Sequence, residues 1–170
     1  MPEHHGQQAD REDLTGEHAL TDIGQLILAV LIIAAWIADA LWIRLACVGS
    51  GIPLAVRLPI GAALTILAGF TAWSGHRIIF QEVRDRPHVV RKGIFGLVRH
   101  PMYLSQILLY PGLLLLIRPS LPAAGIWVLA ICFFHVVARK EEQLLIDRFG
   151  DEYRAYKRDV GMWLPRIRRK

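Results

Sequence analysis

The chain has 170 residues, of which 54% are hydrophobic, and its formal net charge at pH 7 is +5. This length leaves room for one domain, and the hydrophobic content is too high for an ordinary water-soluble protein, so we expect an all-α integral membrane protein. The basic charge does not indicate a nucleic-acid partner, because no basic stripe interleaved with aromatic residues stands apart from the predicted membrane edge.

The chain begins with a polar stretch over residues 1–22, in which one basic side chain, Arg11, accompanies six acidic ones. A signal peptide would start with a basic region instead. We therefore predict an acidic N-terminal tail, either mobile or folded as a short surface helix, ahead of a single membrane domain over residues 23–170.

Four apolar segments follow, and each approaches the roughly 20 helical residues that cross a hydrocarbon core of about 30 Å. They cover residues 23–43, 54–73, 103–117 and 121–137. The last two are short and are expected to form a helical hairpin, with Pro111-Gly112 suggesting a bend in its first arm. Whether both arms cross the whole bilayer is left open by their length.

Asp39 is the one carboxylate placed deep in a predicted span. An intramembrane acid is a functional candidate by default, but this position comes late in the span, toward the far surface. We interpret Asp39 as an interfacial anchor whose side chain snorkels to the water.

Basic residues are concentrated in two segments outside the spans. The loop over residues 74–102 carries six lysines and arginines, and the tail over residues 138–170 carries ten. The positive-inside tendency places this loop and the C-terminus in the cytoplasm, and an even number of spans places the N-terminus there too. In a bacterium, the membrane would be the inner one.

A first polar motif leads into the hairpin: Lys92-Gly93-Ile94-Phe95-Gly96-Leu97-Val98, followed by Arg99-His100-Pro101-Met102-Tyr103. The glycines permit a turn or a close approach to a ligand. Pro101 suits the first turn of a helix, which makes His100 the N-cap of the third span. Taken alone, such residues at a helix end are ordinary interfacial anchors.

The third span carries a polar stripe on an otherwise apolar helix. Tyr103, Gln106 and Tyr110 recur at spacings of three and four and therefore share one face. Lipid is a poor environment for these side chains, so the stripe should face the bundle interior or a cavity.

A second polar motif, Arg139-Lys140-Glu141-Glu142, leads out of the hairpin, and on a helix His135, Arg139 and Glu142 share one face. A hairpin returns to the side it left, so both motifs should meet at one membrane face. Adjacent carboxylates at an anionic leaflet are costly unless a cation lies nearby. We expect that cation to be Arg99, Arg139 or a bound, positively charged cofactor.

The tail continues the same pattern, with Leu145, Phe149, Tyr153 and Tyr156 at spacings of four, four and three. This predicts an amphipathic, cytoplasmic C-terminal helix with a break or bend at Gly150. The simplest alternative is a basic helix that lies on anionic lipid.

These residues together resemble the C-terminal half of the isoprenylcysteine carboxyl methyltransferase family and its phospholipid methyltransferase relatives. The resemblance covers roughly residues 88–166. It rests on the run from Lys92 to Tyr103, on Glu141-Glu142-x-Leu144, on Phe149-Gly150-x-x-Tyr153-x-x-Tyr156, on Val160 and on Leu164-Pro165. It implies an integral membrane enzyme that transfers a methyl group from S-adenosylmethionine to a lipid- or isoprenoid-linked acceptor at the cytoplasmic face.

The resemblance and the charges of the cofactor together imply roles for individual residues. S-adenosylmethionine carries a sulfonium and an ammonium group, which carboxylates attract. The expected cofactor site contains Gly93, His100, Pro101, Tyr103, Glu141, Glu142, Tyr153 and Tyr156. Catalytic roles are expected for Arg99, Arg139 and Glu142, and acceptor contacts for Phe95, Gln106 and Tyr110. No metal site is expected, because no histidine has a second ligand at metal spacing.

The chain departs from the family pattern between Ile94 and Leu97, where tyrosine hydroxyls and a basic side chain are missing. This leaves the acceptor open: a carboxylate needs no base, whereas a lipid amine would have to lose a proton to a glutamate or to His100. Two other functions are possible, a sterol-reductase-like membrane oxidoreductase that uses a nicotinamide cofactor and a non-catalytic membrane partner. Oligomerisation is also open, because Gly61 and Gly69 could pack within one bundle or between two.

Overall fold

The computed structural model describes residues 19–43, 52–82 and 88–166. In these ranges the chain forms α-helices with no strand, as the all-α prediction requires. The elements in chain order are α1 (Ala19–Ala38), a π-helical turn (Asp39–Ile43), α2 (Leu54–Glu82), a 3₁₀ turn (Gly93–Gly96), α3 (Pro101–Leu116), α4 (Leu121–Phe149) and α5 (Asp151–Asp159).

Three of the described helices are long and apolar enough to cross a membrane, over Ile23–Leu41, Leu54–Phe80 and Leu121–Phe149. Helix α3 is apolar but shorter, and its 16 residues extend about 24 Å at a rise of 1.5 Å per residue. The protein is therefore an integral membrane protein, with α3 as a shorter apolar helix within the bundle.

Several helix boundaries differ from those that hydropathy predicts. Helix α2 continues past residue 73 to Glu82, and α4 continues past residue 137 to Phe149. Hydropathy marks where side chains become polar, whereas backbone hydrogen bonds continue until a residue such as Gly150 ends them. Helix α1 begins at Ala19, so the last residues of the predicted N-terminal tail are helical, and residues 1–18 of that tail lie outside the described ranges.

Small residues bring α2 and α3 together over the most extensive helix contact of the described fold. A Cβ atom on Gly61 would lie 3.0 Å from the Gly112 carbonyl oxygen, and one on Gly112 would lie 2.6 Å from Thr65 Oγ1. The Thr65 hydroxyl donates to the Gly61 carbonyl at 2.9 Å. Gly61 therefore packs within the bundle, whereas a Cβ on Gly69 would meet nothing within 4 Å.

Helix α4 forms the second side of the bundle, where it packs against α1 and α3. Tyr103 of α3 lies in a buried cluster with Ala130, Phe134 and Ala138 of α4. The Trp127 indole N–H donates to the Ile107 carbonyl at 2.9 Å and fixes α4 against α3. The beginning of α3 therefore faces the half of α4 that carries the second polar motif.

The structure corrects the interpretation of Asp39 as a snorkelling anchor. Asp39 begins the π-helical turn after α1, and its side chain is fully buried, at 0% exposure. A snorkelling carboxylate would reach the water, so this interpretation is wrong.

The chain folds back on itself after α4, as the break predicted at Gly150 requires. Gly150 has a φ of +55°, a conformation that glycine adopts readily, and α5 starts at the next residue. Tyr153, Tyr156 and Val160 then bury themselves with Val89 against the last turns of α4. Beyond α5, Gly161 forms an isolated parallel bridge with Val98. This return places the C-terminal segment beside the start of α3.

Candidate functional site

A buried ion pair joins the two polar motifs. Arg99 precedes α3 and is 7% exposed, and Glu142 lies on α4 and is fully buried. Arg99 Nε donates to Glu142 Oε1 at 2.7 Å, and Lys157 Nζ of α5 lies 2.7 Å from Glu142 Oε2. Two cations therefore compensate this carboxylate, as its burial requires. Of the cations expected beside the glutamate pair, the structure places Arg99 there.

Arg99 also holds the C-terminal segment in place. Its Nη1 donates to the carbonyl oxygens of Lys157, at 3.0 Å, and Val160. Its backbone N–H donates to the Gly161 carbonyl at 3.0 Å. One side chain thus connects the start of α3, the carboxylate on α4 and the end of α5, which is the geometry of a positioning residue.

Glu141 faces the start of α3 with different partners. The Tyr103 hydroxyl donates to Glu141 Oε1, and His100 Nδ1 lies 3.6 Å from Glu141 Oε2. Tyr103 and Glu141 are both buried, at 7% and 8% exposure. Glu141 thus contacts a phenol and the His100 imidazole, whereas Glu142 contacts an arginine and a lysine as well as that imidazole.

His100 lies between the two carboxylates. Its Nε2 atom is 3.4 Å from Glu142 Oε1, and this buried nitrogen makes no hydrogen bond with the described residues. Its ring is stacked on the Tyr103 ring, with the centroids 5.8 Å apart. His100 is the N-cap residue of α3 and Pro101 follows at the first helical position, as predicted, although the imidazole makes no capping hydrogen bond. The ring therefore lies between the two carboxylates, with one nitrogen facing each.

The tyrosine pair of α5 lies in an apolar core. Tyr153 and Tyr156 are each 3% exposed and contact one another edge to face, with the centroids 5.6 Å apart. The Tyr156 hydroxyl donates to the Phe95 carbonyl at 2.7 Å. Burial raises the pKa of both hydroxyls, and the charge of Glu142 contributes for Tyr153. Both side chains therefore stay protonated and secure α5 against α4 and the 3₁₀ turn.

Gly93 and Phe95, in the glycine-rich segment before α3, each have a structural role. Gly93 has a φ of +54°, and a Cβ there would lie 2.5 Å from Ile78 Cδ1 of α2. Phe95 is partly buried, and its backbone carbonyl is the acceptor for Tyr156. Gly93 thus allows the chain to turn against α2, and Phe95 supports α5.

The polar stripe of α3 faces the bundle interior as predicted. Gln106 Nε2 donates to Gln25 Oε1 of α1 at 2.6 Å, and the Tyr110 hydroxyl lies 3.5 Å from Gln106 Oε1. Gln25, Gln106 and Tyr110 are each partly buried. The stripe therefore extends from the carboxylate cluster at Tyr103 into the apolar part of the bundle.

Arg139 is not brought into the cluster. Its side chain is exposed on α4, and no hydrogen bond or ion pair joins it to the described residues of the site. It shares a helix face with Glu142 in projection, but Glu142 is fully buried whereas Arg139 remains exposed. The predicted catalytic role of Arg139 has no support from this geometry.

Two residues that border the cluster had no predicted role. Lys157 is one of ten basic residues after residue 137, and nothing in their spacing marks it as the inward one. Trp163 follows α5, and its ring centroid lies 6.0 Å from that of His100. The reversal at Gly150 brings Lys157 of α5 to the site, and the turn after Val160 brings Trp163 there. Neither has a local sequence signal beyond Gly150 and Gly161.

The side chains of the cluster suit a ligand that carries positive charge. Glu141, the Tyr103 hydroxyl and the stacked rings of His100 and Tyr103 line one side of the cluster. A carboxylate and the faces of aromatic rings both attract a sulfonium or an ammonium group. The described residues contain no group of three or more potential metal ligands. The site suits an organic cation.

The fold and the site define an all-α integral membrane protein with buried carboxylates where two helices meet. Comparison with known proteins identifies its family. The model of the phospholipid methyltransferase family matches residues 52–152. The chain belongs to this family.

Curated proteins agree with this assignment. The chain is 24% identical over 166 residues to a methanethiol S-methyltransferase of Pseudomonas sp. (strain GM41(2012)), covering 89% of this chain and 61% of the relative. It is 35% identical over 117 residues to protein-S-isoprenylcysteine O-methyltransferase of Saccharomyces cerevisiae, covering 64% and 48%. The Dictyostelium discoideum protein of the same name is 28% identical over 114 residues, covering 66% and 48%. The chain thus spans about half to three fifths of these relatives. No solved structure is significantly similar to it.

Proposed function

We propose that the protein transfers a methyl group from S-adenosylmethionine to a lipophilic acceptor at the membrane surface. The observation that carries this proposal is the meeting of Glu141, Glu142, His100 and Tyr103, from two separated motifs, in one buried cluster. The names of the relatives, which act on isoprenylcysteine or methanethiol, support methyl transfer over nicotinamide-dependent reduction or a non-catalytic role.

Glu141 is the carboxylate that we assign to the cationic part of the cofactor. Arg99 and Lys157 already compensate Glu142 at 2.7 Å each, so a third cation gains less there. His100 and Tyr103 lie beside Glu141 and offer hydrogen bonds and aromatic faces. S-adenosylmethionine, when bound, supplies a methyl group activated by the positive charge on its sulfur.

The remaining residues align the reactants and keep water out. Methyl transfer is an in-line displacement, so it depends on alignment and desolvation more than on proton chemistry. Arg99 fixes α5 over the cluster through Glu142 and two backbone carbonyls. An acceptor carboxylate would need no base, whereas an amine or a thiol would lose a proton to His100, whose Nε2 makes no hydrogen bond with the described residues.

The polar stripe of α3 is the surface that we assign to the acceptor. Gln106 and Tyr110 lead from Tyr103 into the apolar part of the bundle, and Gln25 of α1 borders them. An acceptor with an apolar chain would lie along these helices and present its reactive end to the cluster. The concentration of basic residues in the segments that carry the cluster supports a cytoplasmic location for the site and for both termini.

The experiment measures cofactor binding and methyl transfer on the same preparation. The purified protein in lipid nanodiscs is titrated with S-adenosylmethionine, and then incubated with the methyl-labelled cofactor and a total lipid extract. We expect saturable binding, label in the lipid fraction, and at least tenfold weaker cofactor binding in Glu141→Gln and His100→Ala. Glu152→Gln, an exposed glutamate of α5, is the matched control. Absence of binding, or equal binding in all variants, would contradict the proposal.

A further inference from the structure

The C-terminal segment places a tryptophan on the membrane-crossing helix α4. Beyond α5, Gly161 is bridged to Val98, and Met162 and Trp163 pack against the cluster of Tyr103, Phe134 and their neighbours. Gly161 has no space for a Cβ, which would collide with the Leu164 carbonyl. This tight turn directs the Trp163 ring back along α4 toward the membrane.

Trp163 forms a hydrogen bond with His135, an exposed histidine on the membrane-crossing helix α4. The indole Nε1–H lies 3.3 Å from His135 Nδ1. His135 is exposed on α4, seven residues before Glu142 and therefore about 10 Å nearer the membrane interior. An exposed side chain on a membrane-crossing helix meets lipid, where an imidazole is costly without a polar partner or a functional role.

The hydrogen bond fixes which atom of His135 faces outward. An indole N–H is a donor only, so Nδ1 of His135 must be the acceptor. The proton of the neutral ring is then on Nε2. His135 thus presents an N–H donor at the lipid-facing surface beside Trp163.

Trp163 also contacts the interior of the site. Its ring is partly buried, and the centroid lies 6.0 Å from the His100 ring and 6.4 Å from the His135 ring. His100 in turn lies between Glu141 and Glu142. The Trp163 indole therefore contacts both the exposed His135 and His100 of the carboxylate cluster.

We infer that Trp163 and His135 form the lipid-side entrance of the site and select acceptors whose reactive group is attached to a long apolar chain. The indole is the wall along which that chain lies, and the His135 Nε2–H donates to the polar group at its end. This inference rests on the proposed function but makes a separate claim, because it concerns acceptor binding and leaves cofactor binding unchanged.

The test compares probes that differ in chain length. Binding of dodecanethiol, methanethiol and N-acetyl-S-farnesylcysteine to the full chain in nanodiscs is measured together with binding of S-adenosylmethionine. We expect Trp163→Ala and His135→Leu to weaken binding of both chain-bearing probes at least fivefold. Binding of methanethiol and of the cofactor should change less than twofold.

Two further variants separate the proposed role from a packing role. His135→Gln can both accept from the indole and donate outward, so it should restore binding of the chain-bearing probes to within twofold of wild type. Trp73→Ala removes an exposed tryptophan of α2, 60% exposed, and should change nothing. Trp163→Phe keeps a ring in place should the alanine variant fail to fold, and we expect it to lose the His135 contact and half or more of the probe affinity.

Three results would overturn the inference. They are unchanged binding of the chain-bearing probes in Trp163→Ala and His135→Leu, an equal loss of cofactor binding in those variants, and a wild type that binds neither chain-bearing probe. In the last case, methyl transfer to methanethiol or to the lipid extract would leave the proposed function standing. A wild type that does not bind S-adenosylmethionine would overturn both.

Discussion

The Arg99 guanidinium lies 2.7 Å from the Glu142 carboxylate, and the same side chain holds the carbonyls at the end of α5. Both side chains are buried, so neither charge has bulk water as an alternative partner. The pair therefore holds the elements of the site together, and we assign the binding and chemical roles to the residues beside it.

Replacing Arg99 by methionine should destabilise the protein by about 3 kcal/mol or more, because it leaves buried carboxylate and carbonyl groups without their donor. The unfolding midpoint in detergent measures this loss. Arg154→Ala, which removes an exposed ion pair with Asp151 on α5, should change the midpoint little. An Arg99→Met variant that unfolds like wild type would contradict the assignment of Arg99 as a positioning residue.

The two neighbouring glutamates should respond differently to removal of their charge. Glu142→Gln should lower the unfolding midpoint, because Arg99 and Lys157 lose their shared carboxylate. Glu141→Gln should leave the midpoint nearly unchanged and weaken cofactor binding about tenfold or more, which corresponds to about 1.4 kcal/mol. Both quantities are measured on both variants. If both variants change the unfolding midpoint and the cofactor affinity by the same amounts, the proposed division of roles between Glu141 and Glu142 is wrong.

Gly93→Ala should cost more stability than Gly150→Ala. Both glycines have positive φ, which strains any other residue by roughly 1 kcal/mol. A Cβ on Gly93 would also collide with Ile78, whereas one on Gly150 would meet nothing within 4 Å. Adding Ile78→Val should recover part of the Gly93→Ala loss in thermal unfolding. Gly125→Ala, in open space on α4, is the control and should be neutral or slightly stabilising.

Gly112→Ala should separate α2 from α3 and lower the unfolding midpoint, because the new Cβ would lie 2.6 Å from Thr65 Oγ1. Gly69→Ala lies on the same helix as Thr65 with nothing within 4 Å and provides the comparison. If Gly69→Ala destabilises as much as Gly112→Ala, the close packing of α2 against α3 at Gly112 does not explain the loss of stability.

Alkaline pH should loosen α5. Burial raises the pKa of Tyr153 and Tyr156 above the usual value of about 10. A raised pKa in the folded state means that the stabilisation is complete below pH 10 and is lost as pH rises above it. Unfolding midpoints should therefore fall above pH 10 in wild type, and less steeply in Tyr153→Phe/Tyr156→Phe. Tyrosinate absorbance should follow the unfolding of wild type, and ionisation of these tyrosines before unfolding would contradict the prediction.

The sequence predicts the membrane class, the meeting of the two motifs and the break at Gly150, because each depends on local pattern. Hydropathy defines the helices, a hairpin returns to its starting face, and glycine permits the reversal. On these grounds Arg99 is one of the cations expected beside the glutamate pair, together with Arg139 and a bound cofactor, and the structure selects it.

The inward-facing residues of the C-terminal segment could not be predicted in the same way. Lys157 reaches the site on α5, after the reversal at Gly150, and Trp163 reaches it through the turn after α5. The sequence around both residues resembles any basic tail. Arg139 and Asp39 illustrate the same limit. Helical spacing gives the face of Arg139 but not its exposure, and hydropathy gives the depth of Asp39 but not its burial.

The bridge between Val98 and Gly161 makes the end of the chain one wall of the site. A molecule that binds against this wall therefore also stabilises its ordered state, because binding and ordering are linked by mass action. A bound molecule should slow amide hydrogen exchange at Val160 and Gly161 in proportion to its occupancy, and a chain shortened before Val160 should no longer retain it.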